Sequence, residues 1–389
     1  MDLNEFLKKE LADIKAKSLY RSLNCIGSVQ GPVVRFADGK DRALFCSNNY
    51  LDLAGDERIV RAVVDAVGQW GWGTAASRLI SGTMGPHAEL ERRFARFFRK
   101  EAALYFSSGW CANEAILTTL PQKGDLVLID RMSHASIIDA VGKGAAAFHT
   151  YRRENLGRAE KFLADGAYRR KFIVTESVFS MDGDRADLAA LVELKERCGA
   201  ALVVDEAHSA GCMGPTGAGL TEQEGLLDKI DIIVAPLGKA FATGGAVIAA
   251  SKTVIDYLVN TARPFIYTTA PSPAAAAAAI AALDIVQEEP WRREKLGENA
   301  KYLLNKLKGM GLDTGGSDTH IIPVILGSAE KSLKIAEALF KKGYYVSAIR
   351  PPTVPRESAR LRVSVQCGHT KEQLDGLCRA LGEILPLPK

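Results

Sequence analysis

The chain has 389 residues, 47% of them hydrophobic and 25% charged, with a formal net charge of +4. That length exceeds one small domain and supplies ample core. The even composition excludes a disordered chain, and no basic arm or polybasic run points to nucleic acid or to a membrane surface.

In chain order, the stretch MDLNEFLKKELADIKAKSLYR interleaves charges with leucines and predicts an amphipathic helix rather than a signal peptide. From residue 102, short apolar runs alternate with helical patterns. AALYFSSG (102–109), DLVLID (125–130), KFIVTES (171–177), AALVVDEAH (200–208), DIIVAPLGK (231–239) and AVIAAS (246–251) predict strands. They are continuous rather than alternating, as in a parallel sheet covered on both faces. RADLAALVELKERCG (185–199) predicts one of the intervening helices, and the alternation indicates an α/β domain. PAAAAAAIAALDIV (273–286) predicts a buried helix, because it falls short of the ~20 strongly apolar residues of a membrane span.

After about residue 290 the pattern changes. A helix (WRREKLGENAKYLLNKLKGMG) leads to the strand HIIPVILG (320–327) and the helix SAEKSLKIAEALFKKG. An edge strand (YYVSAI), a proline-rich loop (RPPTVP), the strand RLRVSVQ and a final helix follow. This predicts a compact α+β unit. The expected division is an N-terminal segment of helix and strand (1–50), a large α/β domain (51–287) and a small C-terminal α+β domain (288–389). The seven cysteines, at 25, 46, 111, 198, 212, 367 and 378, form no CxxC pair. They read as free thiols without metal-ligand spacing, in a reducing, cytoplasmic compartment.

Polar residues at strand ends carry the chemistry, since ligands of an open parallel sheet bind outside the carboxyl ends of its strands. Asp205 follows ALVV, with His208 three residues on. A carboxylate there suits a protonated ring nitrogen; a helix N-cap is the other reading. Lys239 follows IIVAPLG in a glycine-flanked turn, where partial desolvation favours the neutral amine a Schiff base needs. A solvated loop lysine is the alternative. Asp205 one βαβ step before Lys239 makes them the pair that pyridoxal phosphate (PLP) chemistry requires. Ser108 and Gly109 open a helix whose N-terminus favours a phosphate, or form a plain turn. His134 suits stacking on a flat ring and Ser180 suits a phenolic oxygen, though either also fits a structural role.

With these residues the chain resembles the α-oxoamine synthase family of PLP fold type I over nearly its whole length. The matching segments are SNNYLDL (47–53), GTAASRLISG (73–82), HAELE (87–91), FSSGWCAN (106–113), SHAS (133–136), TESVFSMDGD (175–184), VVDEAHSAG (203–211), LGKAF (237–241) and FIYTTAP (265–271). The resemblance implies a large domain with a mainly parallel seven-stranded sheet between helices. It implies that Lys239 holds PLP and serves as acid and base, that Asp205 pairs with the pyridine nitrogen and that His134 stacks on the ring. Ser180 and His208 would hydrogen-bond the phenolic oxygen, while Ser108, Gly109 and Trp110 contact phosphate and cofactor. Thr268 or Thr269 would reach the phosphate of a neighbouring subunit, which implies a homodimer with shared sites. Arg362 matches the anchor of the amino-acid carboxylate, Asn48 lies near the substrate, Arg21 and Thr353 match substrate-contacting positions, and Arg350 is close by. IRPPTVP (349–355) followed by ARLRV (359–363) looks most like the branch that joins L-alanine to a pimeloyl thioester, on CoA or a carrier protein, in biotin synthesis. The expected reaction is a decarboxylating Claisen condensation; glycine- and serine-using members, or a non-catalytic subunit of the same fold, are the alternatives. Two departures stand out. Pro236 replaces the family's usual Thr or Ser, whose hydroxyl contacts the phosphate, and losing one charge-assisted bond costs ~1.5–3 kcal/mol. Ala242 replaces the glycine usual after LGKAF.

Overall fold

The computed structural model describes residues 2–385. The chain forms two compact units, one of Met1–Asp52, Met181–Asp184 and Lys295–Lys389, the other of Leu53–Ser180 and Arg185–Glu294.

A seven-stranded sheet forms the centre of the second unit. In chain order its strands are β1 (Ala102–Phe106), β2 (Leu126–Asp130), β3 (Ala147–Tyr151), β4 (Lys171–Glu176), β5 (Ala201–Asp205), β6 (Ile232–Pro236) and β7 (Ala246–Ala250). They lie side by side in the order β1-β7-β6-β5-β4-β2-β3. Strands β2 to β6 pair in parallel, while β7 runs antiparallel to both its neighbours. The fold is the expected α/β architecture. Alternate residues of the central strands are buried on opposite faces, which is why their sequences read as unbroken apolar runs. Val127, Ile129, Val174, Val203, Val234 and Ile248 share one core cluster with Ile116, Ile137 and Leu258 of the helices Gly109–Thr119, Ala135–Lys143 and Lys252–Thr261. Strand neighbours such as Leu128, Ile173, Leu202 and Ile233 are equally buried. The alanine-rich helix Pro273–Glu288 buries Ala274, Ala276, Ala279 and Ala282, and these small side chains let it pack against the helix Glu57–Trp70. Among the described residues no helix is long and apolar enough to cross a membrane.

Two three-stranded sheets belong to the first unit. In one, Val33–Arg35 and Asp41–Leu44 form an antiparallel pair that Tyr344–Tyr345 extends in parallel. In the other, Ala359–Ser364 lies between Ile321–Gly327 and Ser347–Ile349. YYVSAI is therefore not one edge strand. It divides at the buried Val346 between the two sheets. The segment Met181–Asp184 joins this unit through the Gly183 carbonyl, which accepts from Thr319 Oγ1 at 2.8 Å. Gly183 has φ +66°, and a Cβ there would sit 1.8 Å from the Ile321 carbonyl oxygen, so only glycine fits. The predicted N-terminal helix spans Leu3–Ala16 and buries no residue; Leu3, Phe6, Leu7, Leu11 and Ile14 are exposed along it.

Candidate active site

The order of the strands gathers the polar strand ends. Phe106 pairs with Ala246, and Ala246 with Pro236, so Ser108 and the loop after β6 leave the sheet at the same end. Glu176 and Asp205 close β4 and β5 there, in register with each other.

Lys239 lies in the loop joining β6 to β7, and its neighbours hold that loop. Leu237, Ala240 and Phe241 are buried. The Phe241 ring meets Phe94 edge-on at 5.5 Å and Phe97 at 6.3 Å. Backbone bonds from Leu237 to Gly245 (2.9 Å) and from Ala242 to Lys239 (2.9 Å) close the turn. The half-buried Lys239 Nζ lies 3.0 Å from Nε2 of the buried His208.

Asp205 is buried and accepts from Asn113 Nδ2 at 2.9 Å and from the Ala207 amide at 3.0 Å. The same Asn113 amide donates to Ser136 Oγ at 3.0 Å. Ser136 Oγ is 2.8 Å from His134 Nδ1, which also accepts from the Ser136 amide at 3.2 Å and so caps the helix Ala135–Lys143. With Nδ1 an acceptor, the neutral imidazole carries its proton on Nε2. Burial lowers the pKa of His134, Lys239 adds to that effect and Asp205 opposes it. The backbone N–H of His134 donates to Glu176 Oε1 at 2.6 Å. Trp110 presents its ring edgewise to His134 at 6.3 Å.

Ser108 caps the helix Gly109–Thr119, accepting from the Cys111 amide at 3.2 Å. A Cβ on Gly109 would lie 2.7 Å from Pro236 Cγ and 3.1 Å from Pro236 Cβ. This helix N-terminus and the end of β6 therefore touch across a glycine. Ser180 is half-buried, four residues beyond the end of β4. Thr268 and Thr269 lie on the segment after the helix Arg263–Ile266, where Thr269 bridges Ser77.

In the first unit, buried Arg362 donates to Ser364 Oγ at 2.7 Å, to Asn48 Oδ1 at 3.3 Å and to the Tyr50 hydroxyl at 3.3 Å. Arg350 donates to the Ser18 carbonyl at 2.5 Å, and its pKa is lowered by burial and then by Arg21. Arg21 and Thr353 are exposed. Sequence reasoning named Lys239, His208, Asp205, His134, Arg362 and Asn48 but missed Asn113, Ser136, Glu176, Tyr50 and Ser364. Glu176 carried the signal that marked Asp205, a polar residue closing a buried strand. Asn113 and Ser136 reveal themselves only through the partners the fold gives them.

A cavity of about 830 Å³ opens where the parallel strands begin, lined by Leu120, Phe172, Ile232, Val254 and Tyr257. It contains none of the groups above, and three of its basic residues are engaged: Lys100 donates to the Leu227 and Ile230 carbonyls, Arg169 and Arg170 to Asp125. The polar strand ends described above lie at the opposite end of the sheet.

The architecture, with a lysine in the loop after β6 and an acid closing β5, is that of fold type I, the PLP-dependent transferase fold. The chain belongs to the aminotransferase class I and II family, which it matches over residues 40–381. It is 42% identical to the 8-amino-7-oxononanoate synthase of Alkalilimnicola ehrlichii, covering 98% of both chains. With that of Geobacter sulfurreducens the identity is 44%, over 96% of both. Among solved structures it superposes on serine palmitoyltransferase of Sphingomonas wittichii with TM-score 0.92, 28% identity and full coverage of both. It superposes equally (0.92, 31% identity, 99% of both) on the S. paucimobilis enzyme, which holds a PLP–myriocin aldimine. For the 8-amino-7-oxononanoate synthase of Francisella tularensis the TM-score is 0.77, at 30% identity over 88% of this chain and 96% of that one.

Proposed function

We propose that this chain is a PLP-dependent acyltransferase that condenses L-alanine with a pimeloyl thioester, releasing the thiol and CO2, to form 8-amino-7-oxononanoate for biotin synthesis. The observation that carries this reading is near-complete, 42–44% identity with proteins of that activity.

The residues present fit the cofactor. They supply an amine at Lys239, an acid at Asp205, an aromatic N-cap at His134 and a helix N-terminus at Gly109, where a Cβ would close the space beside Pro236. Bound PLP supplies an electron sink for negative charge on the amino acid's α-carbon. Lys239 would hold the cofactor, and its amine would take and return the substrate's α-proton. His208, within hydrogen-bond distance of Nζ, orients that amine, and with Ser180 it would hold the cofactor's phenolic oxygen. Asp205, steadied by Asn113 and the Ala207 amide, would keep the ring nitrogen protonated. The neutral imidazole of His134 would stack on the ring, and Ser108, Gly109 and Trp110 would receive the phosphate end.

Arg362 binds the amino-acid carboxylate, with Asn48 beside it. Arg21, Arg350 and Thr353 receive the acyl donor, an assignment supported by the closeness of the two guanidinium groups, which suits an anionic carrier. The working form is a cytoplasmic homodimer in which Thr268 or Thr269 completes the partner's phosphate site. Free cysteines support the compartment, and exposed Val60, Val64, Trp72, Ile80 and Tyr267 support self-association. The large domain is taken as 51–287, flanked by 1–50 and 288–389.

A matrix of amino acids against acyl thioesters, scored by thiol release, tests the reading. Alanine with a pimeloyl thioester gives the highest kcat/KM; a preference for serine with palmitoyl-CoA, or for glycine, replaces it.

A further inference from the structure

Glu176 has no part in the mechanism above, yet it sits at its centre. It closes β4 in parallel register with Asp205, and side chains at paired positions of neighbouring parallel strands leave the same face of the sheet. Two carboxyls are thus buried side by side. Asp205 has two donors, Asn113 Nδ2 and the Ala207 amide. Glu176 accepts the His134 N–H at 2.6 Å. His134 is consequently held at both ends, its ring by Ser136 and its backbone by Glu176.

We propose that Glu176 is a positioning residue for His134: its carboxyl fixes the amide that starts the helix Ala135–Lys143, and through it the plane of the imidazole that faces the cofactor. This inference rests on the PLP reading above. The charged and titratable groups facing Glu176 are Asp205 on β5, Asp130 on β2, Lys239 on the β6–β7 loop and His134 itself. Burial, then Asp205, push its pKa up to about 8 against the opposing pull of Lys239 and the His134 amide. At neutral pH it is the neutral acid, which grips the amide without placing a second negative charge beside Asp205. As pH rises through about 8 that charge appears next to the lysine.

The test compares the holoenzyme, E176Q and E176A by visible-region circular dichroism of bound PLP, by the PLP Kd of stripped protein, and by visible absorbance titrated from pH 6 to 9.5. Glutamine keeps the amide acceptor without the titration. E176Q therefore retains the visible dichroism and a Kd within about twofold, but loses the wild-type absorbance transition near pH 8. E176A, lacking the acceptor, changes the dichroism and weakens PLP about tenfold. The proposal is overturned if E176A matches wild type in dichroism and Kd, if E176Q is as disturbed as E176A, or if the transition persists in E176Q. Should E176A fail to fold, E176N, whose shorter side chain cannot reach the amide, takes its place in the dichroism and Kd comparison. Wild-type protein that takes up no PLP overturns the functional reading itself, a result separable from any difference among variants.

Discussion

Gly109 and Pro236 constrain each other. The proline ring fills the space where a Gly109 Cβ would stand, at 2.7 Å from Pro236 Cγ. A contact that close forces backbone or ring to move, and overpacking of this kind costs ~1–3 kcal/mol. Gly109→Ala is expected to destabilise the protein by about that amount and to weaken PLP, because the shifted atoms belong to the helix N-terminus proposed to receive the phosphate. Pro236→Ala removes the obstructing ring, so the double variant should recover most of the loss. A double-mutant cycle on melting temperature and PLP Kd measures this coupling; additive losses would show that the two residues act independently. Sequence reasoning found Pro236 as a missing hydroxyl. Its steric role was not legible, because β1, β7 and β6 bring Gly109 beside it from 127 positions away only once they pair. Lys239 and Asp205 were legible because each ends or follows a buried apolar run, which marks a strand end without knowledge of the partner.

At the scale of elements, six of the seven strands of the large sheet were readable from apolar runs. The seventh, β3, was not among the runs picked out. Ala147, Phe148 and Thr150 are exposed along it, and only Tyr151 is fully buried, so it carries no apolar run to find. An edge strand hides in this way because one flank has no partner. The loop between β6 and β7 holds a second feature that only geometry discloses. Ala242 has φ +51°, the left-handed region that costs a residue with a Cβ ~1–2 kcal/mol. Phe241 anchors the turn against Phe94, and the Leu237–Gly245 bond closes it. Ala242→Gly should therefore stabilise the protein by about 0.5–1 kcal/mol, the relief of strain less the extra unfolded-chain entropy of glycine. Urea unfolding with an unchanged m-value checks it, and a loss of stability would mean that the Ala242 methyl makes contacts that outweigh the strain.

At the scale of the molecule, the expected seven-stranded, mainly parallel α/β sheet is what the fold builds, but the assignment of Met181–Asp184 to the other unit had no signature. Its partners, Thr319 and Ile321, lie more than 130 residues away. That unit also buries two histidines that carry no charge. His369 stacks on Phe45 at 4.2 Å, its Nδ1 accepts from the Gln366 amide at 3.0 Å, and Nε2 meets the Leu44 carbonyl at 3.0 Å. One nitrogen accepts and the other donates, an arrangement that only the neutral ring satisfies. Burial lowers its pKa to about 4. His320 packs against Tyr50 at 4.2 Å, and burial, with Arg362 adding, lowers it to about 3. In the unfolded chain both titrate near 6.5. Between pH 6.5 and those lower values the unfolded chain binds protons that the folded protein refuses, so stability is fully present above pH 6.5 and drains away as pH falls. The loss approaches roughly 3 kcal/mol per histidine at pH 4. His320→Gln removes one of the two groups, so its stability should decline less steeply than wild type from pH 6.5 to 4 even if it starts lower at pH 7. Urea unfolding at pH 7, 5.5 and 4 supplies the comparison. Parallel declines in the two proteins would mean that His320 takes up its proton in the folded state at an ordinary pH.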